Sequence, residues 1–150
     1  SPSLATGYFN QPEVTAATFK DGWYRSGDAG YRDTEGFFYI VDRVKDMIIS
    51  GGENVYSSEV ELALQKLPGV HMCAVVGIPD EKWGERVVAA IVQDPESELS
   101  PETVREHCRT LIAGYKVPKQ VEFVSVLPMT STGKISKRAL RDQLMSNGKV

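Results

Sequence analysis

At 150 residues, with 41% hydrophobic and 25% charged side chains, the chain has the make-up of a soluble globular protein able to bury a core of its own. Seventeen basic against twenty acidic residues leave a net charge of −3, which excludes a global field for nucleic acid or an anionic membrane but allows local basic sites. No apolar run approaches the roughly 18 residues of a membrane span, and the N-terminus carries no signal-peptide pattern.

In chain order, residues 1–36 are rich in Gly, Asp and aromatics and have little periodicity, apart from a Thr-rich stretch from Glu13 to Phe19 that fits a helical turn or two. They read as the edge of a larger body, and a start at Ser1-Pro2-Ser3 rather than Met adds the expectation of an excised piece. Phe37 to Val41 is a β-type run introduced by Glu35-Gly36. It delivers the chain to Asp42–Glu61, where a charged cluster, an apolar run, a Gly-Gly turn and a helix start follow one another closely. This stretch reads as a joint.

Beyond it, Ser58 and Glu61 predict a capping box for a helix carrying Val60, Leu64 and Leu67, stopped by Pro68-Gly69. Val70 to Ile78 and Arg86 to Val92 predict a pair of strands around a polar turn that holds an exposed-looking Trp83. Ser100 predicts an N-cap with Pro101 at the first helical position, Val104, Cys108, Leu111 and Ile112 on one face, and Gly114 as the stop. Gln120 to Val126 predicts a third strand, Leu127 to Lys134 a loop, and Ser136 a last helix with Ala139, Leu140 and Leu144 facing inward. The order β, α, β, β, α, β, α predicts a small α+β domain with helices packed on a mostly antiparallel sheet. Its expected span is 45–150, with 1–44 as a tail of the larger body.

Cys73 and Cys108 belong to no C-x-x-C pair, so reduced core thiols in a cytoplasmic protein are expected, and the isolated His71 and His107 receive no metal or catalytic role. Asp28, after Ser26-Gly27, presents a carboxylate able to accept two hydrogen bonds from vicinal hydroxyls, although capping a turn explains it equally well. Arg43 offers planar donors to a ribose or phosphate, with a salt bridge to Asp42 or Asp46 as the alternative. Lys45 stands where the larger body gives way to the compact unit, a place for a hinge. Gly51-Gly52 lets a backbone or ligand pass close, and Trp83 needs a cover, either a ligand or a neighbouring domain. Thr132-Gly133-Lys134 fails the Walker pattern twice, with Pro128 in place of the first Gly and Ile135 after the Lys. Lys134 can still reach an anion as a mobile point charge.

Together, Tyr24-Arg25-Ser26-Gly27-Asp28, the run Asp42 to Val55, Pro79 to Glu85, Tyr115-Lys116-Val117-Pro118-Lys119 and Pro128 to Lys134, in that order, resemble the adenylate-forming enzymes, and among them the acyl-CoA synthetases of fatty-acid type. The likeness covers about residues 7 to 145 and only the C-terminal part of a family member. It implies a two-step reaction in which a carboxylate attacks the α-phosphate of ATP to give acyl-AMP and pyrophosphate, and the thiol of CoA then displaces AMP. It implies that Asp28 and Arg43 bind the ribose hydroxyls and that Lys134 bridges carboxylate and phosphate during adenylation. It further implies that Lys45 is the hinge of a small lid domain, that Gly51 and Gly52 border the pantetheine tunnel, and that Trp83 lies against CoA. Lys116 and Lys119 are left for the CoA phosphate, because Val117 stands where family members can carry a further basic residue. The Mg²⁺ ligand, the phosphate loop and the acyl pocket are expected in a large N-terminal adenylation domain, of which residues 1–44 would be the tail and against which the lid packs. The chain by itself is then expected to be inactive. A non-catalytic interaction module of the same fold, or a relative that loads a carrier-protein pantetheine, remain the alternatives.

Overall fold

In the computed structural model, which describes residues 3–147, the chain forms two compact units, Ser1–Val44 and Lys45–Val150. Ser1 and Pro2 of the expected N-terminal piece lie outside the described residues.

The first unit is built from short local pieces. Helix α1 (Pro12–Thr18) starts at a proline, whose missing N–H costs nothing in a first turn. Strands β1 (Phe19–Lys20) and β2 (Trp23–Tyr24) form one antiparallel pair, and β3 (Asp28–Arg32) and β4 (Phe38–Arg43) form another. Across the second pair the cross-strand neighbours Tyr31 and Tyr39 stack at 5.0 Å. Asp33 closes the connecting turn by accepting the Phe37 N–H at 2.9 Å.

The second unit is α+β, with its helices packed on a mostly antiparallel sheet. A 3₁₀ turn (Val44–Asp46) leads to β5 (Ile48–Ser50), β6 (Glu53–Val55) and α2 (Ser57–Leu64). The long strands β7 (Val70–Asp80) and β8 (Gly84–Gln93) follow, then α3 (Pro101–Leu111), β9 (Gln120–Phe123) and α4 (Lys137–Asn147). The sheet order is β6-β5-β8-β7, and β9 lies parallel to β8.

Both faces of the β7–β8 ribbon are covered. Cys73, Val75, Val87, Ala89 and Ile91 pack with Val60 and Leu64 of α2 and Val104 and Cys108 of α3. Ala74, Val76, Ile78, Val88 and Ala90 pack with Leu127 and with Leu140 of α4. Successive residues point to opposite faces, so a strand buried on both must be apolar at every position, which is why these stretches read as unbroken runs.

Three local expectations are corrected. Ser58 is not the N-cap, because α2 begins at Ser57 with Tyr56 as N-cap, two residues earlier than expected. Glu61 turns to the sheet instead, where its Oε1 accepts the Val75 N–H at 2.8 Å. Leu111, at the last position of α3, points outward and is 45% exposed, whereas Val104 and Cys108 are buried as expected. The third strand stops at Phe123, three residues short of Val126. The Ser100 cap does form, its Oγ accepting the Thr103 N–H at 3.1 Å.

Leu64→Ala should lower the unfolding free energy by about 2–5 kcal/mol, since a fully buried leucine leaves a cavity, while Leu111→Ala should stay within about 0.5 kcal/mol. Urea denaturation of both variants measures the contrast.

Candidate functional site

In the first unit the β3–β4 pairing sets Asp28 opposite Arg43, and their side chains meet, Arg43 Nε to Asp28 Oδ1, at 2.9 Å. The two residues singled out for a ribose are therefore brought together. The Arg43 side chain thus takes Asp28 as an ion-pair partner, while Asp42 Oδ1 accepts the Arg43 backbone N–H at 2.7 Å. The pair is 56% and 28% exposed, so its worth to stability is small, and its effect is to fix a fork of donors beside a carboxylate. That donor and acceptor set fits a vicinal diol.

In the second unit, Gly51 and Gly52 form the two-residue link between β5 and β6 with φ of +61° and +85°. Both residues of such a hairpin turn need positive φ, which glycine adopts at no steric cost. Gly51 has a second reason to lack a side chain. A β-carbon there would lie 3.1 Å from the Trp83 ring, and the Gly51 N–H donates to the Trp83 carbonyl at 2.8 Å.

Trp83 ends the β7–β8 turn, and Asp80 shapes that turn by accepting the backbone N–H groups of Lys82 and Trp83, each at 3.0 Å. The Trp83 N–H bond, ahead of the Lys82 bond and Arg86, holds the Asp80 carboxyl below the usual carboxylate range. The ring is 36% exposed. Two ammonium groups stand over it, Lys82 at 4.9 Å and Lys119 at 5.2 Å from the centroid. Lys119 is thus assembled with Gly51 and Trp83. Lys82 was given no role by the sequence, though its place beside Trp83 was a usable signal.

Lys116 is placed differently. Its Nζ lies 2.7 Å from both Glu59 carboxylate oxygens, and that hydrogen bond raises its pKa, so the charge is retained but already partnered. Lys134 sits at the end of a tight loop. The Thr130 N–H donates to the Lys134 carbonyl at 2.7 Å, and Gly133 adopts φ of +76°. The Lys134 side chain is exposed, and no hydrogen bond, ion pair or ring contact joins it to the Trp83 cluster. Lys45 lies in the 3₁₀ turn and is exposed. It lines a cavity of about 470 Å³ together with Asp46, Val75, Thr130, Lys137 and Arg141.

The two histidines have local partners. His71 pairs with Asp94 at 3.4 Å, and His107 Nε2 lies 3.0 Å from the Ala63 carbonyl. Both thiols are free and buried. Among the described residues no group of three or more His, Cys, Asp or Glu could hold a metal ion, and no helix is long and apolar enough to cross a membrane.

Comparison with known proteins gives one consistent picture. The AMP-binding enzyme C-terminal domain model matches residues 59–134, half of the chain. The long-chain-fatty-acid–CoA ligase FadD13 of Mycobacterium tuberculosis is 51% identical over 143 residues, 95% of this chain and 28% of that protein. A feruloyl-CoA synthase of Amycolatopsis is 49% identical over 140 residues, 93% of this chain and 28% of that protein. Among solved structures, ATP-bound MatB from Rhodopseudomonas palustris matches with a TM-score of 0.90 at 36% identity, covering 99% of this chain and 30% of that one. The chain thus spans less than a third of the length of these relatives.

Burial, and then the nearby Glu61 charge, push the Cys73 thiol up to about 12. An acid whose pKa is raised by folding adds stability below its unfolded value and loses it as pH climbs through the folded one. Alkylation of Cys73, followed by mass spectrometry, should stay slow in the folded chain until the pH approaches about 12. In urea the same reaction should accelerate near the ordinary thiol pH, and an equally early rise in the folded chain would contradict the buried environment.

Proposed function

This chain belongs to the AMP-binding enzyme C-terminal domain family, and from that premise we propose that it supplies the C-terminal part of an ATP-dependent, AMP-forming acyl-CoA synthetase acting on a carboxylic acid of fatty type. The observation that carries the reading is the assembly of Gly51, Trp83 and Lys119 from three separate segments into one surface. A partly exposed indole flanked by ammonium groups suits an adenine ring and its phosphates, and a turn without side chains suits a slender thiol arm. Carrier-bound pantetheine brings no nucleotide, so the cations over Trp83 favour free CoA.

In this reading Asp28 accepts from the ribose hydroxyls of the nucleotide and Arg43 donates to them, with their ion pair holding both in register. Lys134 bridges the substrate carboxylate and the phosphate oxygens, stabilising charge as it develops on the α-phosphate; pyrophosphate leaves and acyl-AMP remains. The CoA thiolate then attacks the acyl carbon and AMP leaves. Lys45 is the hinge that exchanges Lys134 for the Gly51–Trp83 surface between the two steps. The boundary between tail and lid at 44/45, the Mg²⁺ ligand, the phosphate loop and the acyl pocket in a large N-terminal domain, and a cytoplasmic location belong to the same proposal. Exposed apolar side chains on the first unit, Phe9 at 98%, Phe38 at 77%, Trp23 at 76% and Ile40 at 70%, support a body that covers them. Lys116, bound to Glu59, keeps a CoA-phosphate role only if that pair opens.

In the full-length enzyme, Lys134→Ala should lower ATP–pyrophosphate exchange by at least about a hundredfold and spare thioester formation from supplied acyl-AMP. Equal loss in both assays would refute the role of Lys134. Trp83→Ala should raise the KM for CoA and leave exchange unchanged; a collapse of exchange would make Trp83 a packing residue.

A further inference from the structure

Lys137 is the first residue of α4 and stands three positions after Lys134. Its ammonium lies 2.8 Å from Glu61 Oε1 and donates to Ser57 Oγ at 2.6 Å, both on α2. The same Glu61 oxygen accepts the Val75 N–H at 2.8 Å. The Lys137 and Glu61 side chains are only 21% and 18% exposed. One carboxylate and one ammonium therefore tie together α2, the outer edge of β7 and the start of α4.

The loop that carries Lys134 projects from this knot. Its neck is closed by the Met129–Ile135 bridge and by the Ser136 N–H donating to the Pro128 carbonyl at 2.8 Å. Its tip, from Ser131 to Lys134, is exposed. The direction of the tip is thus set by its two roots, the buried Leu127 on one side and Lys137 on the other. A lone ammonium on a flexible stem stabilises developing charge only when its carrier is held still, because small misplacement costs much of the effect.

We propose that Lys137 is a positioning residue for adenylation, acting through the Glu61–Ser57 knot to fix the loop on which Lys134 rides. The inference rests on the adenylation role given to Lys134. It concerns the first half-reaction alone, since the thiol-transfer surface at Gly51 and Trp83 hangs from a different turn.

The test uses the full-length enzyme with Lys137→Gln, Lys137→Arg, Glu61→Gln and Lys134→Ala, each assayed for ATP–pyrophosphate exchange and for thioester formation from supplied acyl-AMP. Lys137→Gln should lower the kcat of exchange roughly ten- to a hundredfold with the KM for ATP and the thioester step little changed, and Lys137→Arg should recover most of the loss. Glu61→Gln, which keeps an acceptor for the Val75 N–H and removes the charge facing Lys137, should reproduce the selective loss if Lys137→Gln folds poorly. Unchanged exchange, or equal losses in both assays, overturns the inference. If Lys134→Ala itself leaves exchange intact, the functional reading falls and takes this inference with it; if Lys134→Ala is inactive in exchange while Lys137→Gln is normal, only this inference falls.

Discussion

Burial of the β7–β8 ribbon on both faces is the constraint on which the second unit depends. Alternate residues of each strand enter different cores, so a slip of one residue would push every side chain into the wrong one. With the register locked from Met72 opposite Val92 to Asp80 opposite Gly84, the turn must fall at Glu81-Lys82-Trp83. Gly84 in turn pairs with Ser50, which brings the Gly51 turn beneath the indole. The apolar interior thereby dictates a polar surface assembled from parts of the chain more than thirty residues apart.

Polar groups finish what the apolar ones begin. Asp80 gathers the free N–H groups of the turn, and the Ile49 N–H donates to Glu85 Oε2 at 2.9 Å. These bonds are worth little singly, but each removes a way for the turn to relax. In the first unit, with no buried core side chains in its helix, aromatic contacts across the short strand pairs do the packing.

How much of this could be read beforehand follows from the range of each signal. The Ser100-Pro101 helix start is written within a few residues, and the β7 and β8 runs announce their own burial, so those elements were legible. The Ser58–Glu61 pattern was just as local yet misleading, because a sheet edge fourteen residues further on competes for the same carboxylate and wins. Strands of two or three residues, such as β1, β2, β5 and β6, are too short to show a period. The candidate site residues were found by motif, but their partners were not. Arg43 takes a carboxylate from the preceding strand, and Lys116 takes Glu59, and neither pairing has a trace in local spacing.

The contact between Gly51 and Trp83 has a further consequence for how the chain can vary. A β-carbon at position 51 would lie 3.1 Å from the edge of the six-membered ring at position 83, so a side chain at 51 would press on that ring. A side chain at 51 would require the indole to shift by a few tenths of an ångström, in addition to the strain of a positive φ. The two positions are physically coupled, although the sequence separates them by more than thirty residues.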